Sequence, residues 1–321
     1  MLPGLSSAML MGGAGGAAPD VSKVFATKGY IGNGATQTIV NGIDLSGARG
    51  LVWTKVRNQP FDHFLIDGLR GVGAGALKTS SSDAQQGLEY GLTAFNNNGY
   101  FLGSNAGGLN GNLNNYVSWS FVDEDRFFKV VTFTHTNGAD TSIDLSGLGN
   151  VGLVTIKRLD TNSDWATWVR GLAYGFNLKL NTTDARYSSG ANLVMIGNVA
   201  TFLASAPSGN YILYAWAHDP DPDGVIQAFD VTCSGSGNDP IITGWPVQFI
   251  ILKYISRVGP WYIVDRVRTP AWSGSEAVLQ ANSSAAELSG DIVSNRSDGV
   301  NLLGFTATGD RVCGIAIRAP A

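Results

Sequence analysis

Short apolar runs alternate with clusters of Gly, Asn, Asp and Ser along almost the whole of this chain. Runs such as Phe128-Lys129-Val130-Val131-Thr132-Phe133-Thr134-His135 are strand-sized and rich in β-branched and aromatic residues, and the polar clusters between them supply turn geometry. Long apolar patterns of helical period are absent, so an all-β chain is predicted. Some runs are uninterrupted: Leu51-Val52-Trp53, Leu153-Val154 with Ile156, and Phe249-Ile250-Ile251-Leu252. Successive apolar residues suit a strand covered on both faces, so these are predicted central strands, with Trp53 and its counterparts in the core.

The same runs repeat. Gly50 to Lys55 is followed by Arg70, Gly152 to Lys157 by Arg170, and Gln248 to Lys253 by Arg268. Ile43-Asp44-Leu45-Ser46-Gly47 returns as Ile143-Asp144-Leu145-Ser146-Gly147. Leu77 to Ala84 is answered by Leu178 to Ala185 and by Leu279 to Ala286, the last without the Asp. Each copy closes on an apolar strand, Tyr116 to Phe121, Tyr211 to Ala217 and Val312 to Ile317. A repeat of this length sets the architecture before any single residue is interpreted. The expected fold is all-β: three tandem antiparallel β-sandwich modules, jelly-roll or concanavalin-like, from an internal triplication. The expected boundaries are an N-terminal docking arm at 1–20 and modules at 21–123, 124–221 and 222–321, near the acidic stretches Asp123 to Asp125 and Asp219 to Asp223.

Composition narrows this further. With 42 glycines and 14% charged residues, a sandwich is favoured over a parallel α/β sheet, and about one hundred residues is a common size for a self-sufficient domain. The first 20 residues are uncharged except for Asp20 and rich in Gly; they lack a basic signal-peptide region and are too Gly-broken to span a bilayer, which suggests a flexible or docking arm. A net charge of −4 without basic tracts argues against nucleic acid, and no basic amphipathic helix points to a membrane. Cys233 and Cys313 both fall in the third copy, on strands expected to be neighbours; free buried thiols in a reducing compartment are expected.

Candidate chemistry is sparse. The repeated Lys and Arg read either as a binding site or as cations that pair with a carboxylate or snorkel at a sheet edge, and their presence in every copy favours the structural use. Of three histidines, only His63 has suggestive neighbours, Asp62, Asp67 and Arg70, and the second copy replaces it. A carboxylate pair for glycoside cleavage stays open, since its members need only be close in space. Asp219, Asp221 and Asp223, with Gly224 and then Asp230, reproduce the oxygen spacing of a calcium loop, against prolines at its second and fourth positions and flanking strands; a stiff acidic linker is the competing reading. Trp165, Trp168, Trp261, Tyr262 and Trp272 lie in or beside the segments between the repeated Lys and Arg. They are candidate carbohydrate-stacking faces, or plugs of each module's core.

The order of Gly29 to Gly34, Gly50 to Lys55, Leu65-Ile66-Asp67-Gly68-Leu69-Arg70-Gly71, Ser80-Ser81-Ser82-Asp83-Ala84, Leu92 to Gly103 and Tyr116-Val117-Ser118-Trp119-Ser120 resembles a repeat module of bacteriophage and prophage structural proteins, chiefly tail fibres and related appendages. The likeness is good in the first copy, diluted in the second and weak in the third. It implies no catalytic residues and no required cofactor. It implies a virion localisation, a β-rich, non-enzymatic component attached to other virion proteins through its arm, a homo-oligomer, and contact with host surface polysaccharide. A head spike, head fibre or capsid decoration protein with a purely structural role is the main alternative, and a polysaccharide-degrading spike a third. Three modules in one chain would equally give a pseudo-symmetric monomer.

Overall fold

The computed structural model describes residues 16–47, 50–87, 91–104, 108–304 and 307–320 of the 321-residue chain. Apart from α1 (Val21–Val24), capped by Asp20, and two single 3-10 turns, its regular structure is β-strand, arranged as a β-sandwich-like set of antiparallel sheets. The first stretch holds β1 (Phe25–Ile31), β2 (Gln37–Val40), β3 (Leu51–Val56), β4 (Phe64–Asp67), β5 (Leu92–Asn96), β6 (Gly99–Leu102) and β7 (Asn115–Phe121). The middle stretch holds β8 (Phe128–His135), β9 (Thr141–Asp144), β10 (Val151–Arg158), β11 (Ala166–Val169), β12 (Leu178–Lys179), β13 (Leu193–Ile196), β14 (Val199–Phe202) and β15 (Gly209–Ala217). The last holds β16 (Ile226–Thr232), β17 (Asn238–Ile242), β18 (Val247–Tyr254), β19 (Trp261–Asp265), β20 (Glu276–Gln280), β21 (Leu288–Gly290), β22 (Val293–Arg296), β23 (Gly299–Leu303) and β24 (Arg311–Arg318).

Each stretch contributes a wide and a narrow sheet. The wide sheets run β1-β7-β3-β4, β8-β15-β10-β11-β12 and β16-β24-β18-β19-β20-β21; the narrow ones run β2-β6-β5, β9-β14-β13 and β17-β23-β22. The predicted apolar strands β3, β10 and β18 lie between two partners, and their residues are buried from end to end but for Arg158 and Gln248. The narrow-sheet edge strands β2, β9 and β17 expose one face, as in β9, where Ile143 is buried between exposed neighbours. The two copies of Ile-Asp-Leu-Ser-Gly also fold alike. The Asp44 and Asp144 carboxylates each accept from the backbone N–H two residues on, Ser46 and Ser146, at 2.9 Å, the local turn that Asp favours.

One buried apolar cluster extends from Val21 to Ile317 and draws on all three stretches. At its centre Trp53 and Phe121, Leu153, Leu180 and Trp216, and Phe249, Ile251 and Ile315 surround an apolar-lined void of about 10 Å³. The rings of Phe25, Phe121 and Phe249 meet there at centroid distances of 5.1 to 6.1 Å. A second cluster, around Trp245, Trp272 and Val293, fills the last stretch alone. Cys233 and Cys313 are buried and free. Of the expected docking arm, residues 1–15 lie outside the described residues. Among the described residues no helix is long and apolar enough to cross a membrane.

Candidate functional site

The repeated lysines are fully buried on the three central strands, and a buried ammonium must find acceptors. None of the three has a carboxylate partner at bonding distance; each donates to backbone carbonyls, one of them in a different stretch. Lys157 Nζ donates to Ser163 O at 2.8 Å and to Ser82 O of the first stretch at 3.0 Å. Lys253 Nζ donates to Gly259 O at 2.5 Å and to Thr183 O of the middle stretch at 3.1 Å. Lys55 Nζ donates to Val56 O at 2.7 Å and to Ser284 O of the last stretch at 3.3 Å. Burial pulls all three ammonium groups down to a pKa of about 8, partly offset by carboxylates nearby. The expectation of carboxylate-paired or snorkelling lysines is thus corrected: backbone carbonyls hold them, joined at Lys157 by the Ser163 hydroxyl at 3.4 Å.

Eight residues beyond each lysine a ring follows the same path. Trp165 Nε1 donates to Lys78 O of the first stretch, and Trp261 Nε1 to Lys179 O of the middle stretch, both at 2.9 Å. The corresponding residue in the first stretch is His63. Its Nδ1 accepts from Trp53 Nε1 at 2.9 Å, and burial, then the Lys55 charge, hold the imidazole well below its usual pKa and therefore neutral. The Gln280 carbonyl of the last stretch acts on this ring in the opposite sense, although His63 Nε2 makes no hydrogen bond of ordinary length. Backbone bonds repeat the circuit: Gln85 N to Leu159 O at 3.0 Å, Arg186 N to Ile255 O at 3.2 Å and Glu287 N to Arg57 O at 2.7 Å.

The repeated arginines behave as expected in two stretches. Arg70 and Arg268 pair with Asp67 and Asp265 at 2.6 Å, all four nearly or fully buried. Each aspartate takes one more bond across a junction, Asp67 from Tyr214 Oη at 2.8 Å and Asp265 from Trp119 Nε1 at 3.0 Å. In the middle stretch the position three before Arg170 is Thr167, which bonds instead to Thr155 at 2.8 Å. Where first and last stretches meet, Arg57 closes on Glu287 at 2.7 Å and Arg268 reaches the same carboxylate at 3.1 Å.

The aromatic candidates are therefore mostly spent inside. Trp165 and Trp261 are fully buried and Trp272 nearly so, under the Arg266 guanidinium, so none offers a face to a sugar ring and that expectation is corrected. Only Trp168 and Tyr262 are half-buried, each against an apolar cluster. The neighbours that His63 has in the sequence do not gather around it as an acid–base group. Asp62 pairs with Lys78 at 3.0 Å, while Asp67 faces Arg70 and Tyr214.

The calcium reading is corrected too. Asp219, Asp221 and Asp223 do converge, but on the Arg126 guanidinium, at 2.8, 3.1 and 3.4 Å, which takes the place a cation would occupy. Asp230 lies on β16 and pairs with Arg311 instead. Among the described residues no group of three or more His, Cys, Asp or Glu could hold a metal ion. The chain before α1 rests on this same charged loop: Arg126 donates to Gly16 O, and Ala18 N donates to Asp223 at 3.2 Å.

The buried belt has a signature in the sequence, the fixed eight-residue offset from Lys55, Lys157 and Lys253 to His63, Trp165 and Trp261. No curated protein and no solved structure matches the chain. One family model, described as a domain of unknown function (DUF7483), matches residues 20–304 as a single unit, from the cap of α1 to just past β23, and the chain thus belongs to the DUF7483 family.

Proposed function

We propose that the protein is a non-enzymatic structural component of a phage-like particle, built by internal triplication as three β-sandwich modules, 21–123, 124–221 and 222–321, closed into a ring. The observation that carries this reading is the direction of the belt contacts. The middle module bonds back to the first, the last to the middle, and the first to the last, with the same lysine and backbone positions used at each junction and the same tryptophan position at two of the three. A string of independent modules has no reason to close in this way, whereas a ring must. Between the first and last modules no linker holds the junction, and there the Arg57–Glu287–Arg268 group adds its charge-assisted bonds.

Such a chain carries threefold pseudo-symmetry in one subunit and suits a seat on a symmetric particle vertex or the end of a trimeric appendage. The burial of Trp165, Trp261 and Trp272 favours the structural role of a head spike, head fibre or decoration protein over receptor stacking by these rings. Residues 1–20 remain the proposed attachment arm to other virion proteins.

Gold-labelled antibody against the recombinant protein, applied to particles purified from a producing culture, tests this. Labelled particles are expected, and loss of label on deleting residues 2–15. Unlabelled particles, with all the protein left in the unassembled fraction, would overturn the reading. Light scattering of the isolated protein is expected to give the mass of one chain.

A further inference from the structure

The middle stretch departs from the other two at a place where departure opens space. One residue before each repeated lysine, the strand register pairs Thr54 with Phe64, Ile156 with Ala166 and Leu252 with Tyr262. A large ring thus becomes a methyl group in the middle stretch alone. One residue after the lysine, buried Val56 and Tyr254 correspond to Arg158, which turns outward to Asp160 at 2.6 Å. Both changes remove apolar bulk from the same side of the wide sheet. What results is a cavity of about 520 Å³ between β10, β11 and the loops preceding β13 and β15. That is within the roughly 300–1,000 Å³ range of small-molecule sites.

Its inner wall is apolar: Ile156, Phe202 and Tyr211 are buried there, the last two rings 4.8 Å apart. The outer wall is polar and already organised. Lys179 bonds Asp164 at 2.8 Å and stands 3.8 Å from Asp184, with its ammonium 5.5 Å from the centre of the Tyr187 ring. Asn181, donating to Asp164 at 2.8 Å, fixes that carboxylate from behind. The lining charges balance, Arg158 and Lys179 against Asp164 and Asp184, so the cavity lining carries no net charge to select an ion of either sign. It offers instead hydrogen-bond donors and acceptors at the entrance, with the half-buried Tyr187 ring beside them. A molecule that matches both is one with hydroxyl groups on its edge and C–H groups on its face.

We infer that this cavity is a binding site for a neutral sugar, one or two pyranose units of a glycan, held by Lys179, Asp164 and Asp184 and stacked against Tyr187. The site goes beyond the particle reading and does not rest on it, since it would operate wherever the protein resides.

The test uses the intact protein and calorimetric titration at millimolar concentration with maltose, cellobiose, lactose and N,N′-diacetylchitobiose, beside sialyllactose and a sulfated disaccharide. At least one neutral disaccharide is expected to bind. Ala166→Phe, which restores the ring found in the first stretch, is expected to weaken that binding by about tenfold or more while leaving the melting temperature unchanged or higher. Asp184→Ala, at an exposed position, should weaken it with no change in melting, and it carries the test if Ala166→Phe fails to fold. Binding by none of the neutral sugars, tighter binding of the anionic pair, or unchanged affinity in folded Ala166→Phe and Asp184→Ala would each overturn the inference. Particle labelling does not enter, so this inference and the structural role can fail separately.

Discussion

A lysine buried among carbonyls is the residue that defines this protein. Taking an ammonium out of water is costly, and two or three charge-assisted bonds to backbone oxygens offset that cost without a bonded counter-ion. The position of these lysines was legible from their recurrence, but not their partners. Every residue carries a carbonyl, so an acceptor of that kind leaves no mark in the sequence, whereas the Asp three before Arg70 and Arg268 does. Lys157→Met keeps the stem and removes the donors, and should cost about 1–3 kcal/mol by leaving Ser82 O and Ser163 O short of a partner. Its pH dependence has a definite sign. The folded pKa of about 8 lies below the unfolded value of 10.5, so between those values the unfolded chain binds the extra proton and stability rises with pH. The stability of wild type relative to Lys157→Met should therefore increase from pH 7.5 to pH 9 in urea unfolding. An equal difference at both pH values would show that the ammonium is not depressed. The comparison removes the opposing effect of Cys233, whose thiol burial pushes up to about 11 and which is present in both proteins.

At the scale of elements, the strands were the most readable part of the chain. β8 coincides with the run Phe128 to His135, and Tyr116 to Phe121, Tyr211 to Ala217 and Val312 to Ile317 lie within β7, β15 and β24. β7, β15 and β24 lie between two partners and are buried on both faces, which a run of successive apolar residues records, whereas β8 at its sheet edge shows as an alternation. How tightly two strands approach was not readable. Gly314 sits on β24 between β16 and β18, and a Cβ there would overlap the Ile251 carbonyl oxygen and press on the Leu252 Cα. Backbone cannot swing aside as a side chain can, so Gly314→Ala should cost about 3 kcal/mol or more. Gly73→Ala, in the 3-10 turn Val72–Ala74, meets nothing within 4 Å and should stay within about 0.5 kcal/mol of wild type. Thermal melts of the two variants check this, and equal losses would contradict it.

Across the whole molecule, the apolar cluster from Val21 to Ile317 leaves no stretch with a core wholly its own except the satellite around Trp272. Trp165 and Trp261 each plug the junction with the preceding stretch, so losing one stretch uncovers the next. Unfolding is expected as one cooperative transition, with calorimetric and van't Hoff enthalpies equal, and three separable transitions would refute a shared core. The sequence by itself determined that the chain is β-rich, where its central strands lie, and which cations recur, because burial pattern and repetition are written in residue type and spacing. Only the tertiary structure decided that the tryptophans face inward, that Arg126 fills the acidic loop, and that Ala166 opens a cavity. The first two depend on segments 82 to 97 residues away arriving opposite, and the third on loops of the same stretch closing over β10 and β11, and the local sequence carries no record of its future neighbour.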